Sequence, residues 1–389
     1  MAEGQKPYRV YRGGRAKGKV PLVRRAEDGA RKGSARGKAT ADSANQRRGI
    51  RWGRLLAIGI PSLVLLLVLW TVLGYLAVRR GVESANKRLP ASAAAALTPQ
   101  DGLLLSNPTT ILLLGTDGDR TVRRSGYNRS DSIMLVRNDP KRKRIAYLSI
   151  PRDLRVEIPG YGTRKINAAF QLGGAPLALR TVEQLTGLDV NHLAIVDFDD
   201  FKGVIDAVGG ITVDVPKPIV SNNFDCPFDA KRCETWQGWR FGKGTQEMNG
   251  RRALIYSRIR ENRLDPSDND LTRNARQQQV LDGMANEITS VGTFLRLPWV
   301  GDDLVQPLAT DLSAGQLLQL GFSRFRSDNS RALHCRLGGE PASIGGESVL
   351  LGGEDNVAAI SMFTGASAAQ PPPPGSGVYG AGCAIGRSL

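Results

Sequence analysis

His192-Leu-Ala-Ile-Val-Asp197, Phe198–Val208 and Gly210-Ile-Thr-Val-Asp-Val215 follow one another in the sequence and decide its fold. The first run reads as a buried strand, the second as a helix and the third as a strand again. The same rhythm extends upstream. Thr110-Ile-Leu-Leu-Leu114, Asp131-Ser-Ile-Met-Leu-Val136 and Arg144-Ile-Ala-Tyr-Leu-Ser-Ile150 read as strands, and residues 165–173 and 175–186 as helices. Downstream, residues 250–257, 270–289 and 313–325 read as helices. Residues 331–337 and 348–351 read as strands and 354–363 as a closing helix, while 217–245 look like an irregular insertion. The alternation predicts an α/β fold: a central mixed sheet flanked by helices on both faces.

The chain has 389 residues and a net charge of +16, unevenly spread. Residues 1–54 hold sixteen Lys and Arg against four acids, so this arm alone carries +12. It lacks apolar periodicity and is expected to be disordered. Such an arm could meet nucleic acid or anionic lipid. The adjoining segment favours lipid, because Leu55 to Val78 runs 24 residues without a charge. As a helix that run spans about 36 Å, enough to cross a bilayer. A cleaved signal peptide is the rival, with small residues at Ala91–Ala96. Those residues lie well beyond the apolar run, and the run is too long for a signal peptide. The basic arm orients a retained anchor with its amino terminus in the cytoplasm. The expected organisation is a basic arm (1–54), a transmembrane helix (55–78), a linker (79–107) and a catalytic domain (108–290). A C-terminal α/β extension (291–366) and a Pro/Gly-rich tail (367–389) complete it.

Four cysteines suit an oxidising exterior. Cys226 and Cys233 enclose a short loop and are expected to pair, which leaves Cys335 with Cys383. Three pairings are formally possible. The two histidines, His192 and His334, have no zinc-ligand spacing. His192 opens an apolar strand, so no Ser-His-Asp set forms, and neither a Walker loop nor a dinucleotide glycine fingerprint is present.

The chemistry sits in Tyr256-Ser-Arg-Ile-Arg260 and Asp270-Leu-Thr-Arg-Asn-Ala-Arg-Gln-Gln278. Arg258 and Arg260 would point to one side of an extended segment, and Arg273, Arg276 and Gln277 would share a helix face. Guanidinium forks at such spacing suit a phosphate or pyrophosphate. Further polar residues fall where strands end: Asp117 after the first, Arg129 and Asp131 at the start of the second, Arg152 and Asp153 after the third. Lys165 would open the next helix. Open α/β sheets bind ligands at such ends. Carboxylates without His or Cys suggest Mg²⁺, and a metal beside arginines equips phosphoryl transfer.

Taken in order, these pieces resemble the LytR-CpsA-Psr family of cell-wall ligases, in its actinobacterial form. The carrying motifs are Ile111-Leu-Leu-Leu-Gly-Thr-Asp117, Arg129-Ser-Asp131, Ser149-Ile-Pro-Arg-Asp153, Lys165-Ile-Asn-Ala-Ala169, Val208-Gly-Gly-Ile-Thr-Val213, Met248-Asn-Gly-Arg-Arg-Ala-Leu254 and the two runs above. The family usually has Gly where this chain has Asn269. The resemblance implies transfer of a phosphoglycan from a polyprenyl-pyrophosphate lipid to a peptidoglycan hydroxyl. It implies that Arg129, Arg152, Lys165, Arg258, Arg260, Arg273 and Gln277 bind the pyrophosphate. Asp117 and Asp131 would hold Mg²⁺ or activate the hydroxyl, and Asp117, Asp131, Arg152, Arg258 and Arg260 would be the catalytic set. An apolar groove between sheet and helices would take the prenyl chain. The alternatives are a pyrophosphatase or a carrier for the same lipid, or a membrane-bound transcriptional regulator. The last is opposed by a large domain outside the cell, so nucleic acid is not an expected partner.

Overall fold

A computed structural model describes residues 52–116, 130–224, 226–268 and 270–386. The chain divides between Leu56 and Ala57, and the fold described is that of Ala57–Leu389. Its first elements are α1 (Trp52–Asn86), α2 (Ala91–Ala94), β1 (Thr109–Thr116), β2 (Ser130–Asp139), β3 (Arg144–Ile150), β4 (Leu154–Ile158) and β5 (Gly162–Lys165). Then come α3 (Ala168–Thr186), β6 (His192–Asp197), α4 (Phe198–Val208), β7 (Ile211–Val215), β8 (Ile219–Val220), α5 (Ala230–Thr235), β9 (Arg240–Phe241) and β10 (Gly244–Met248). Beyond these lie α6 (Gly250–Arg258), α7 (Asp270–Ile288), α8 (Val291–Val305), β11 (Ala309–Thr310) and α9 (Ala314–Arg326). The last are β12 (Leu333–Arg336), β13 (Glu340–Ile344), β14 (Glu347–Leu351), α10 (Asp355–Thr364) and β15 (Gly382–Ile385).

Among the described residues a seven-stranded mixed sheet has the order β11-β6-β1-β2-β3-β12-β15. Alternation along the strands sends Leu112, Leu114, Ile133, Leu135, Ala146 and Leu148 into one core with α3 and α10. Met134, Ile145 and Tyr147 face the other way, towards Leu281 of α7. Both faces are therefore covered, as the apolar runs predict. A second core joins α4, α6, α7 and α8 to β7, with Val78, Val82 and Ala85 of α1. A smaller sheet, β13-β14-β4-β5, packs through Leu154, Val156, Ile158 and Leu350 onto the first core.

Local chemistry sets the ends. The Asp197 side chain accepts from the Asp200 N–H to cap α4, and Gly209 closes that helix at φ 94°. Gly173 and Gly174 break α3 into the two halves expected from sequence.

Several expectations need correction. Residues 79–107 are not a free linker. Gly74, Ala77, Val78, Gly81, Val82 and Ala85 recur at helical spacing and are buried, so α1 continues to Asn86. Leu89, Ala93 and Leu104 are buried beyond it. The boundary at 290 is not structural, because β11, β12 and β15 complete the main sheet. The tail is not separate either: Cys383 of β15 pairs in register with Cys335 of β12. β7 leaves the main sheet and forms a ribbon with β10. Lys165 ends a strand rather than opening a helix, because β5 pairs back on β4. Both expected cysteine pairs stand at disulfide distance, Sγ to Sγ 1.96 Å for Cys226–Cys233 and 2.02 Å for Cys335–Cys383.

Candidate functional site

The pairing directions bring the carboxyl ends of β1, β3, β6 and β12, and the start of β2, to one edge of the sheet. The candidate residues gather at the end of β3. Pro151 stops that strand, and Arg152 and Asp153 carry the chain across to β4. The Asp153 Oδ1 accepts from Lys165 Nζ at 3.0 Å, and its Oδ2 lies 3.4 Å from Arg152 Nε. The β4–β5 hairpin delivers Lys165 by setting it opposite Arg155. Backbone bonds fix the turn: the Asn167 N–H donates to the Arg152 carbonyl at 3.3 Å and the Leu350 N–H to that of Asp153 at 3.0 Å. Burial alone would raise the Asp153 pKa. The Lys165 hydrogen bond and the charges of Arg152, Lys165 and Arg273 outweigh it and hold the carboxyl below its ordinary value. Asp153 is thus a carboxylate among three cations. Arg273, buried in the first turn of α7, acts on it through its charge.

Gln277 follows Arg273 by four residues and is half-buried. Helix α7 is held in place by its neighbour Gln278, whose Nε2 donates to Ser149 Oγ at 2.8 Å and to the Cys335 carbonyl at 3.3 Å. Gly283 lets α7 lie close on β7, since a Cβ there would stand 2.8 Å from the Thr212 carbonyl oxygen.

Arg258 is the last residue of α6, with its guanidinium 5.9 Å from the Phe224 ring centre. Ile259 turns extended at φ −60°, ψ 125° and is fully buried, and Arg260 is exposed. The expected extended segment therefore begins only after Arg258. Arg276, expected on the ligand face, goes elsewhere. It is buried, donates to the Ile259 carbonyl, and lies 3.3 Å from Asp268 Oδ2. Asp268 also lies 3.2 Å from Lys217 Nζ, which holds Asp265 at 2.5 Å. This network pins the link between Arg258 and Arg260 one turn from Arg273. Only Arg276 itself hinted at it in the sequence, because its partners come from separate loops.

Asp117, Arg129 and Asn269 lie outside the described residues, as does the arm before Trp52. Asp131 is the second residue of β2, and its side chain also lies outside the described residues. The strand ends beside it are defined: Thr116, the last residue of β1, pairs with Ser130 across an irregularity after Gly115. Among the described residues no three His, Cys, Asp or Glu side chains converge on a metal position. A cavity of about 310 Å³ opens at the ends of β1 and β6, lined by Arg88, Thr116, Ile195, Asp197 and Asp200.

The mixed sheet with helices on both faces is the fold expected from the sequence. The sequence pattern of the LytR_cpsA_psr family fits residues 75–362, and the chain belongs to that family. It is 36% identical over 226 residues to the polyisoprenyl-teichoic acid–peptidoglycan teichoic acid transferase TagV of Bacillus subtilis, covering 57% of this chain and 54% of that one. It is 33% identical over 216 residues to the regulatory protein MsrR of Staphylococcus aureus, covering 55% and 59%. The chain thus spans little more than half the length of these two relatives. The crystal structure of B. subtilis TagV aligns with TM-score 0.55 at 28% identity, over 67% of this chain and 96% of the other. TagT bound to LIIa-WTA aligns with TM-score 0.53 at 25% identity, over 68% and 94%. Among the described residues one helix, Ala57–Asn86, is long and apolar enough to cross a membrane.

Proposed function

We propose that this chain is a membrane-anchored phosphotransferase that moves a phosphoglycan from a polyprenyl-pyrophosphate carrier to a peptidoglycan hydroxyl, leaving a phosphodiester link. The observation that carries this reading is the cluster at the end of β3, where Arg152 and Lys165 pair with one carboxylate that also feels the charge of Arg273. Arg258 and Arg260 flank the Ile259 carbonyl that Arg276 of α7 holds. Guanidinium forks offset the charge of two linked phosphates, and their fixed placement lowers the cost of reorganising donors during reaction. The name of TagV and the ligand bound by TagT support the same chemistry.

In the reaction, the acceptor hydroxyl oxygen attacks the glycan-bearing phosphorus. The P–O bond to the polyprenyl-side phosphate breaks, and polyprenyl phosphate leaves with the bonding pair, its charge met by the arginines. The hydroxyl proton passes to a carboxylate, Asp131 or Asp117. These two are also the positions assigned to Mg²⁺. Carboxylate oxygens would suit that ion, and Asp153 is already committed to cations. Mg²⁺ bound there supplies charge neutralisation at the pyrophosphate. Arg129 and Gln277 complete the assigned pyrophosphate donors. The excess of Lys and Arg in the basic arm supports a cytoplasmic amino terminus, with the domain outside at the cell membrane.

The test incubates the purified protein with a synthetic polyprenyl-pyrophosphate-glycan, peptidoglycan fragments and Mg²⁺, and reads products by mass spectrometry. Released polyprenyl phosphate together with a peptidoglycan-linked phosphoglycan, both lost in Arg258→Ala and Asp131→Ala, is the expected result. Polyprenyl phosphate alone would make the protein a pyrophosphatase, and bound but intact lipid would make it a carrier.

A further inference from the structure

Helix α8 carries an apolar face that stays largely exposed. Val291, Phe294, Leu295 and Trp299 fall on one side of its first turns, and Trp299 is 73% exposed. This face adjoins α1. The Trp70 Nε1 donates to the Leu295 carbonyl at 3.1 Å, and the Trp70 and Phe294 rings lie 4.5 Å apart. Higher up, a Cβ on Gly74 would touch Leu297 at 3.4 Å, and one on Gly301 would touch Val78 at 3.0 Å. The two helices therefore run parallel, side by side. An apolar groove of about 1300 Å³ between them is lined by Leu66, Leu67, Trp70, Leu73, Phe294 and Trp299 among others.

The height of this face is set by α1. In the sequence Trp52 precedes Trp70 by 18 residues, which as a helix would rise about 27 Å at ~1.5 Å per residue. That is close to the ~30 Å of a bilayer's hydrocarbon layer, and tryptophan collects at both of its interfaces. Trp70 thus marks the outer interface, and Phe294 and Leu295 stand level with it. From Gly74 onward, α1 is instead buried along one side against the protein. Arg296 is the one charged residue on the first half of α8. Its guanidinium turns into the domain, donating to the Val208 carbonyl at 2.7 Å. The acidic residues of α8, Asp302 and Asp303, come only in its last turns.

We infer that the first half of α8 is a second membrane contact: Val291, Phe294, Leu295 and Trp299 enter the acyl–headgroup boundary of the leaflet in which Trp70 stands. The occupant of the groove is lipid acyl chain, continuous with the lipid around α1, as for an amphipathic helix lying at an interface. The inference rests on the reading of α1 as a membrane span.

The test uses the full chain in phosphatidylcholine–phosphatidylglycerol vesicles. The native cysteines are paired, so a spin label attaches only at an introduced cysteine. Labels go at Phe294→Cys and Trp299→Cys, with Leu67→Cys on α1 and Val357→Cys on exposed α10 as references. Collision with oxygen and with a water-soluble nickel chelate is measured by power saturation. Labels at 294 and 299 are expected to match the oxygen-to-nickel ratio at 67 and to exceed that at 357 several-fold. Water-like values at 294 and 299 with a lipid-like 67 would overturn the inference. Low collision with both reagents would also overturn it, since a second copy or another protein would then cover the face. A water-like 67 would overturn the span itself and this inference with it.

Discussion

Arg276 donates to the carbonyl that joins Arg258 to Arg260, so its removal separates positioning from binding. Arg276→Ala takes one of two cations from Asp268, whose side chain is fully buried. The expected loss is about 3 kcal/mol of stability, the low end for breaking a buried pair because Lys217 remains. Transfer activity should fall with it, and thermal unfolding beside the product assay checks both. Arg258→Ala should leave unfolding unchanged yet cost roughly a hundredfold in rate, the scale for losing a donor to a transition-state oxyanion. Arg251, exposed and 5.9 Å from the Trp239 ring, is the control, and Arg251→Ala should keep its activity. Equal losses at 251 and 258 would sink the assignment. A second pair, beneath α7, titrates in opposing directions. Burial raises the Asp282 carboxyl to about 7, against the Arg324 charge and the Tyr147 hydrogen bond. Burial, with the Arg324 charge, lowers His334 to about 4. Their 3.4 Å contact near neutral pH is therefore not an ion pair, since His334 is neutral there. Asp282 is ordinarily 3.8 and is raised, so its contribution is full below about pH 4 and is lost as pH rises through about 7. His334 is ordinarily 6.5 and is lowered, so its contribution is full above 6.5 and is lost as pH falls through about 4. The two offset each other between. Asp282→Asn should make stability rise from pH 4.5 to 6.5, and His334→Gln should make it fall, by at most about 1.4 kcal/mol per pH unit. A quarter of the Asp282 side chain is open to solvent, which reduces its share. Urea midpoints at the two pH values decide it, and parallel slopes in both variants would contradict the pairing.

Gly81 of α1 and Gly301 of α8 set how closely those helices cross. A Cβ at Gly81 would lie 2.7 Å from the Asp302 carbonyl oxygen. Gly81→Val and Gly301→Val should each cost about 1–3 kcal/mol by overpacking, read by chemical denaturation with helicity retained. Unchanged midpoints would mean the two helices do not dock. α8 was also the element least legible in the sequence, because Gly292, Pro298 and Gly301 punctuate it like a loop. β1, β3 and β6 were legible because burial on both faces writes a continuous apolar run. β4 and β5 were not, since Arg155, Glu157 and Arg164 lie on an open face of the smaller sheet. β15 hides behind Pro371–Pro374 and depends on distant partners: the Cys335 pairing, and the Arg336 guanidinium, which donates to the Gly380 and Gly377 carbonyls at 2.8 and 2.9 Å. At the site, Arg152, Lys165 and Arg273 could be read because motif spacing and chemistry agree. Asp153 as their common anion, and Asp268 as the anchor of Arg276, emerged only from tertiary placement.

Across the whole molecule, the Cys335–Cys383 pair joins the last strand to the sheet over a separation of 48 residues. Replacing both by alanine should cost about 2–4 kcal/mol, seen as a lower denaturation midpoint that reductant no longer shifts. A midpoint equal to that of the parent protein would show that β15 holds by its ladder alone. Helix α1 is joined to the rest of the fold by packing. No proline interrupts α1 between Pro61 and Asn86, its upper turns are buried against α4 and α8, and Arg88 just beyond it donates to Asp200 at 3.3 Å. A span longer or shorter than the surrounding hydrocarbon adjusts by tilting. If α1 spans the bilayer as proposed, its buried upper turns would carry that tilt into the domain. Membrane thickness would thereby set the angle at which the strand-end cluster stands to the bilayer, and a change of lipid would act on the protein as a change of aim.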